Sequence, residues 1–327
     1  MAAVFVTGGS GFLGAALVAR LRERGDDVVA LARSEAAAEQ LAARGAAPLR
    51  GDALDEEALV TGMRGCDLAF HVAGVNTLCP TDPRPLYRVN VEGATTAVRA
   101  AARAGIGRLV LTSSAATLGE AEGTVGHEGT THRGAYLSDY ERSKHLGERA
   151  AVSEAATRGV DLVCVNPASV QGPGRTGGTG RILLAYLDGR LRAFVDTRLT
   201  LVDIADCTEG HLLAAERGKA GERYVLAGVT LRSREALDIV TELTGVRHRP
   251  ALLPARAASA LAGPVEAGFR LARRKPPLCR AMVRTLLHGH AYDGSRATRE
   301  LGLAYTPVEE TLRRTIEWAR AEGLVRA

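Results

Sequence analysis

The sequence predicts an α/β fold, a doubly wound parallel sheet with a smaller, mostly helical C-terminal lobe. Three observations carry that expectation. Through the first half, short runs rich in Val, Leu and Ala alternate with helix-period patterns, the rhythm of parallel strands joined by covering helices. The first strand runs directly into a tight glycine turn, "TGGSGFLG", and then into a helix. From about residue 233 onward the strand signal gives way to helical spacing.

The elements follow in order. "AAVFV" (2–6) has no polar residue to mark a solvent face, so both its faces should be covered. A helix over 12–24 follows it. "DVVALA" (27–32) precedes a helix over 35–44, "APLR" (47–50) one over 55–63, and "DLAFHV" (67–72) one over 84–104. "RLVLTS" (108–113) leads to a helix at about 138–157, and "DLVCVN" (161–166) closes the series. After Asn166, "PASVQGPGRTGGTG" reads as a loop because glycine and proline interrupt both periods. The helix "RILLAYLDG", the sheet and helix units "LTLVDIAD", "CTEGHLLAAERG" and "ERYVLAG", and a terminal helix in "PVEETLRRTIEWARAEG" complete the chain.

The 327 residues are 46% hydrophobic and 24% charged, enough for one large domain plus a lobe. The net charge of +5 comes almost wholly from scattered arginines, with lysine only at 144, 219 and 275. The densest basic run, Arg273, Arg274 and Lys275, lacks interleaved aromatics, so no nucleic-acid partner is expected. Five cysteines, at 66, 79, 164, 207 and 279, show no C-x-x-C or His-partnered spacing. Neither a disulfide framework nor a metal site is therefore expected, and a cytoplasmic location fits best. The N-terminus lacks a basic leader, and no apolar run reaches the length of a membrane span.

Five stretches carry chemistry. "VFVTGGSGFLGAALVARL" satisfies G-x-G-x-x-G with Gly9, Gly11 and Gly14, and G-x-x-G-x-x-G with Gly8, Gly11 and Gly14. Glycine allows the tight turn, the close approach of a pyrophosphate and the packing of helix on strand, and the helix N-terminus offers free N–H groups. Phe12 and Leu13 open that helix. At the end of the second strand an NAD site ordinarily places an acid; here stand Ala32, Arg33 and Ser34. A guanidinium and a hydroxyl suit a 2′-phosphate, the alternative being an Arg33 that stacks on adenine or is solvated. Asp52, with Ala53 after it, could accept from an adenine amino group or cap a helix, a task that Asp55 could equally serve. "AFHVAG" ends a strand in Val72, Ala73 and Gly74, small enough for a cofactor to lie against the backbone, with His71 structural. Lastly, "YLSDYERSKH" lines up Tyr136, Tyr140 and Lys144 on one helix face, with Ser143 beside the lysine.

Taken together, TGGSGFLG, HVAG, "LTSSAATLG" and Tyr140-x-x-Ser143-Lys144 resemble the extended short-chain dehydrogenase/reductase superfamily. The resemblance continues through "VNPASVQGPG", "LVDIADCTEGHLLAAERG" and "AYDGSRATRELGLAYTPVEETLRRTIEWAR". Within the superfamily it is most similar to the dihydroflavonol-reductase-like branch, which includes bacterial hopanoid-associated sugar epimerases. The resemblance implies a Rossmann-type core with Tyr140 as general acid/base. It also implies that Lys144 is the cation favouring the phenolate and a ligand of the nicotinamide ribose. It makes Ser114 the hydrogen-bond donor to the substrate oxygen, with Ser113 its nearest rival, and sets Pro167 and Val170 against the nicotinamide amide. Asn90 falls where the family orders the active-site helix, although a buried Asn satisfying backbone groups fits as well. Tyr136 matches no required position and reads as a pocket or packing residue.

The expected division is a dinucleotide-binding core over 1–168, to which 199–227 returns, and a substrate lobe over 169–198 and 228–327. The expected function is an NADP(H)-dependent oxidoreductase acting on a carbonyl or secondary alcohol of a small molecule, with NAD(H) as the other cofactor. A nucleotide-sugar epimerase or dehydratase is the second enzyme reading, and an NADP sensor without catalysis the third. Against the epimerase stands Leu199, which occupies the place of the arginine that related epimerases direct at a diphosphate, leaving Arg175, Arg181 and Arg192 as sources of charge. The apolar stretch 255–272 is expected either to cover the pocket or to face a partner in a homodimer.

Overall fold

The alternating apolar runs fold as strands that can be covered on both faces. The structure is a computed structural model whose described residues are 1–246 and 248–325, so the last two residues of the expected substrate lobe lie outside it. Its first half holds β1 (Ala3–Thr7), α1 (Phe12–Glu23), β2 (Asp27–Ala32), α2 (Glu35–Ala43), β3 (Ala47–Arg50), α3 (Glu56–Met63) and β4 (Leu68–His71). There follow α4 (Arg84–Tyr87), a π turn (Arg88–Glu92), α5 (Gly93–Ala104), β5 (Arg108–Thr112), α6 (Asp139–Arg158) and β6 (Leu162–Pro167). The helix expected over 84–104 is thus broken by a π turn.

The second half contains β7 (Ser169–Gln171), α7 (Thr179–Leu187), β8 (Ala193–Val195), β9 (Arg198–Asp203), α8 (Ile204–Arg217), β10 (Arg223–Leu226) and β11 (Val229–Arg232). It ends with α9 (Ser233–Thr244), β12 (Ala251–Leu253), α10 (Ala255–Leu271), α11 (Arg280–His288) and α12 (Val308–Ala321).

Seven strands form one sheet in the order β10-β6-β5-β4-β1-β2-β3, and every pairing in it is parallel. The order reverses between β1 and β4, so the loops leaving these two strands diverge and open a crevice at the carboxyl edge. One core lies between the sheet and α1 and α8, around Leu17, Leu21, Val165 and Leu212. The other lies on the opposite face, where Phe5 and Leu109 pack against Ala97, Ala101 and Ala151. A three-stranded sheet, β11-β9-β7, and a two-stranded one, β12-β8, stand apart from it.

The cysteine expectation is corrected. Cys79, in the loop after β4, is bonded to Cys279, which caps α11, across a sequence separation of 200 residues. Spacing rules detect neighbouring cysteines and could not detect this pair. Among the described residues no helix is long and apolar enough to cross a membrane. The stretch expected to cover the pocket or face a partner forms α10, which packs through Ala258 and Ala262 on Val283 of α11. No α10 residue lines the cleft described next.

Candidate active site

The crevice is a cleft of about 700 Å³. Its floor is backbone. Gly8 holds φ at +72°, and a Cβ there would lie 2.6 Å from Ala73 N. A Cβ on Gly14 would lie 2.1 Å from the Gly8 carbonyl oxygen. Any side chain at either place would push the turn apart, which is the atomic reason for both glycines. Helix α1 then starts at Phe12 with no acidic residue in its first turn and no side chain capping it. Its N–H groups and positive dipole end are therefore left to an external anion. Gly11, Phe12 and Leu13 line this side of the cleft, and Val72, Ala73 and Gly74 the other. Between them Thr7 Oγ1 accepts from Ala73 N–H (3.2 Å) and shares a hydrogen bond with His71 Nδ1 (3.1 Å). Burial pushes His71 down to about 3, so it is neutral and structural, as expected.

At one end Arg33 is exposed, lines the cleft and has no acidic partner among the described residues. Ser34 is exposed beside Arg33. Its hydroxyl caps α2 by accepting from Ala37 N–H (3.2 Å), and it does not line the cleft. Asp52 and Ala53 do line it; one Asp52 oxygen accepts from Leu54 N–H (2.9 Å). The capping role falls to Asp55, which accepts from Glu57 and Ala58 at the start of α3.

At the other end α6 begins because the Ser138 hydroxyl accepts from Glu141 N–H (3.2 Å). That places Tyr140 and Lys144 one turn apart on the cleft wall. Tyr140 and Ser114 face the cleft together, and the Ser114 hydroxyl acts to lower the Tyr140 phenol pKa. Ser113 also lines the cleft, but its hydroxyl is buried without a partner. Pro167 and Val170 complete the wall.

The electrostatics differ from expectation. Lys144 Nζ donates to the Thr112 carbonyl (2.8 Å) rather than to the phenol. Burial lowers it to about 8, and the Glu148 carboxylate opposes that fall. Burial also raises Tyr140 above the ordinary phenol value, opposed by the Ser114 hydroxyl and by the charge of Arg175. The Arg175 guanidinium is thus one cation that favours the phenolate here.

Asn90 sits in the π turn and serves both roles weighed for it. It exchanges hydrogen bonds with the Val75 backbone (2.8 and 3.0 Å) and donates to Ser143 Oγ (2.9 Å). Ser143 in turn donates to the Tyr140 carbonyl (2.8 Å). One amide thus ties the loop after β4 to α6. Tyr136 is a packing residue, in a ring cluster with His132 and His145 away from the cleft.

Two further groups escaped the sequence reading, and a third was named there only as one of several scattered charges. Behind Lys144, the buried Glu148 accepts from Thr117 (3.1 Å) and Asn166 (2.6 Å) and pairs with Arg223 (3.2 Å). On the cleft wall His290 lies 2.5 Å from buried Glu120 and 2.9 Å from the Tyr292 hydroxyl. With His288, these place a carboxylate and two imidazoles within 4.8 Å of one another, a donor set also suited to a divalent cation. Arg175 is the third. No local motif marks any of them, because each depends on chain segments far apart in sequence.

Over residues 4–227 the chain matches the NAD dependent epimerase/dehydratase family. It is 34% identical to a dihydroflavonol 4-reductase-like protein of Synechocystis sp., covering 98% of this chain and 96% of that protein. It is also 34% identical to sterol demethylase protein B of Methylococcus capsulatus, covering 98% and 99%. Among solved structures it is similar to MoeE5 in complex with UDP-glucose and NAD, with a TM-score of 0.77, 26% identity, and coverage of 98% and 99%.

Proposed function

Because the chain belongs to the NAD dependent epimerase/dehydratase family, we propose that it is an NADP(H)-dependent oxidoreductase interconverting a carbonyl and a secondary alcohol on a small molecule. The observation that carries this is the meeting of Ser114, Tyr140 and Lys144 with a backbone anion cradle in one cleft. A reductase name on the Synechocystis relative supports it.

The residues present fit a dinucleotide. The glycine cradle and the uncapped α1 N-terminus would hold its diphosphate, Arg33 a 2′-phosphate, Asp52 the adenine, and Lys144 the nicotinamide ribose. When bound, the nicotinamide supplies a hydride for reduction or takes one for oxidation. The protein manages the proton. Ser114 donates a hydrogen bond to the substrate oxygen and steadies its developing charge. Tyr140 then delivers its proton to that oxygen. Its raised pKa keeps the phenol protonated at neutral pH, which suits reduction. In oxidation the phenol must first be deprotonated, so that direction gains from rising pH.

A nucleotide-sugar epimerase is the second reading, favoured by the family's composition and by MoeE5, whose complex holds UDP-glucose. Against it, Leu199 lines the cleft, whereas Arg181, Arg192 and Arg198 do not. One guanidinium, that of Arg175, is left at the substrate end.

Tyr140→Phe tests the assignment. Turnover should fall about 100-fold to 10,000-fold, while the dissociation constant for NADPH, measured by fluorescence titration, stays within a few-fold. Turnover close to wild type would reject Tyr140 as the proton donor.

A further inference from the structure

We propose that Arg175 anchors a carboxylate of the substrate, so that the substrate class is an oxo acid or hydroxy acid with an apolar tail; this rests on the oxidoreductase reading. The loop between β7 and α7 delivers the residue. Gly172, Gly174 and Gly178 all hold positive φ there, turning the chain so that the Arg175 guanidinium lies over the Phe12 ring, 5.2 Å from its centroid. A Cβ on Gly178 would lie 3.0 Å from the guanidinium, and one on Gly180 would lie 2.7 Å from the Arg175 stem. These two glycines therefore leave room for the side chain.

The charge it presents is unanswered. Among the described residues no carboxylate pairs with Arg175, and its buried Nε has no hydrogen-bond partner. A half-buried cation without a partner is costly, and an incoming anion relieves that cost. Arg175 also acts electrostatically on the Tyr140 phenol, so the anion it holds lies close to the carbon being reduced or oxidised.

The geometry selects the anion. A guanidinium matches a planar carboxylate through two parallel hydrogen bonds. A diphosphate needs more cations than the cleft offers at this end. The rival source of an oxyanion is the cofactor's own diphosphate, but the α1 N-terminus already provides for that group. Leu78, Val89 and Leu199 line the same cleft, which suits an apolar tail beside the acid.

The test uses 3-hydroxydecanoate and its methyl ester, each oxidised with NADP⁺, in wild type, Arg175→Gln and Arg175→Lys. Wild type should prefer the acid. In Arg175→Gln both substrates should lose kcat alike, because the phenol loses a nearby cation, and the acid alone should lose a further factor of about 10-fold to 100-fold through KM, with NADPH affinity unchanged. Arg175→Lys should recover part of the acid preference. Equal losses for acid and ester would overturn the proposal, as would a parallel loss of NADPH affinity, which would assign Arg175 to the cofactor. If wild type oxidises the ester and reduces neutral ketones without preferring the acid, this inference alone fails. If it turns over no alcohol or carbonyl at all, the oxidoreductase reading fails with it.

Discussion

Arg33 stands at the end of β2, where a carboxylate would receive the two hydroxyls of an NAD ribose and repel a 2′-phosphate. Its side chain is exposed, faces the cleft and has no acid beside it among the described residues. A charge-assisted contact of this type is worth about 1.5–3 kcal/mol, or about 10-fold to 150-fold in affinity. NADPH should therefore bind more tightly than NADH by that factor, and Arg33→Asp should narrow or reverse the preference in paired titrations. Equal wild-type dissociation constants would contradict the assignment. Ser34 shows where residue-level inference stops. A hydroxyl beside an arginine suits a phosphate, but the same hydroxyl also starts a helix by accepting from Ala37 N–H, a second task that the residue type alone does not reveal. The Tyr140 and Lys144 pair teaches a similar lesson. Their helical spacing was legible in the sequence. The direction of the lysine ammonium, toward the Thr112 carbonyl, depends on β5 and was not.

At the scale of elements, α6, which carries Tyr140 and Lys144, is positioned by a contact that no periodicity reveals. A Cβ on Gly147 of α6 would lie 2.0 Å from the Asn90 carbonyl oxygen in the π turn. The two segments touch backbone to backbone, and the π turn aims the Asn90 amide at Val75 and Ser143. Gly147→Ala should accordingly cost about 1–3 kcal/mol through overpacking and should reduce turnover, because the loop after β4 and α6 would separate. Chemical denaturation and steady-state kinetics would show both effects; wild-type values for both would refute this role of the contact. The sequence pattern showed five βα repeats and the sixth strand in chain order, since each strand's apolar run is local. It missed the break at Arg88–Glu92, the four-residue β11 and the short strands β7, β8 and β12, the first of them inside the stretch read as a loop. A π turn leaves apolar spacing almost unchanged, and three-residue strands carry too little pattern to read.

Across the whole molecule, long-range pairings decide what composition could not. The Cys79–Cys279 bond ties the loop after β4 to α11, so two walls of the cleft are covalently joined. Burial has a second global consequence. His71 is held at about 3 and His211 at about 4, both mainly by desolvation. Their folded pKa values are depressed below the usual 6.5, so between these limits the unfolded chain binds more protons and stability falls as pH falls. Each histidine contributes a slope of about 1.4 kcal/mol per pH unit in that window. Stability measured by urea denaturation should drop by a few kcal/mol between pH 7 and pH 5; a flat profile would mean that these histidines are not buried neutral.

The central claim is net redox chemistry, and the stoichiometry of cofactor consumption tests it most directly. The purified protein, given NADPH and an apolar or moderately polar carbonyl substrate, should consume one NADPH for each alcohol formed. Interconversion of a nucleotide sugar with no net change in nicotinamide absorbance would contradict it, and would mean that Arg175 and the residues around Leu199 serve a diphosphate after all.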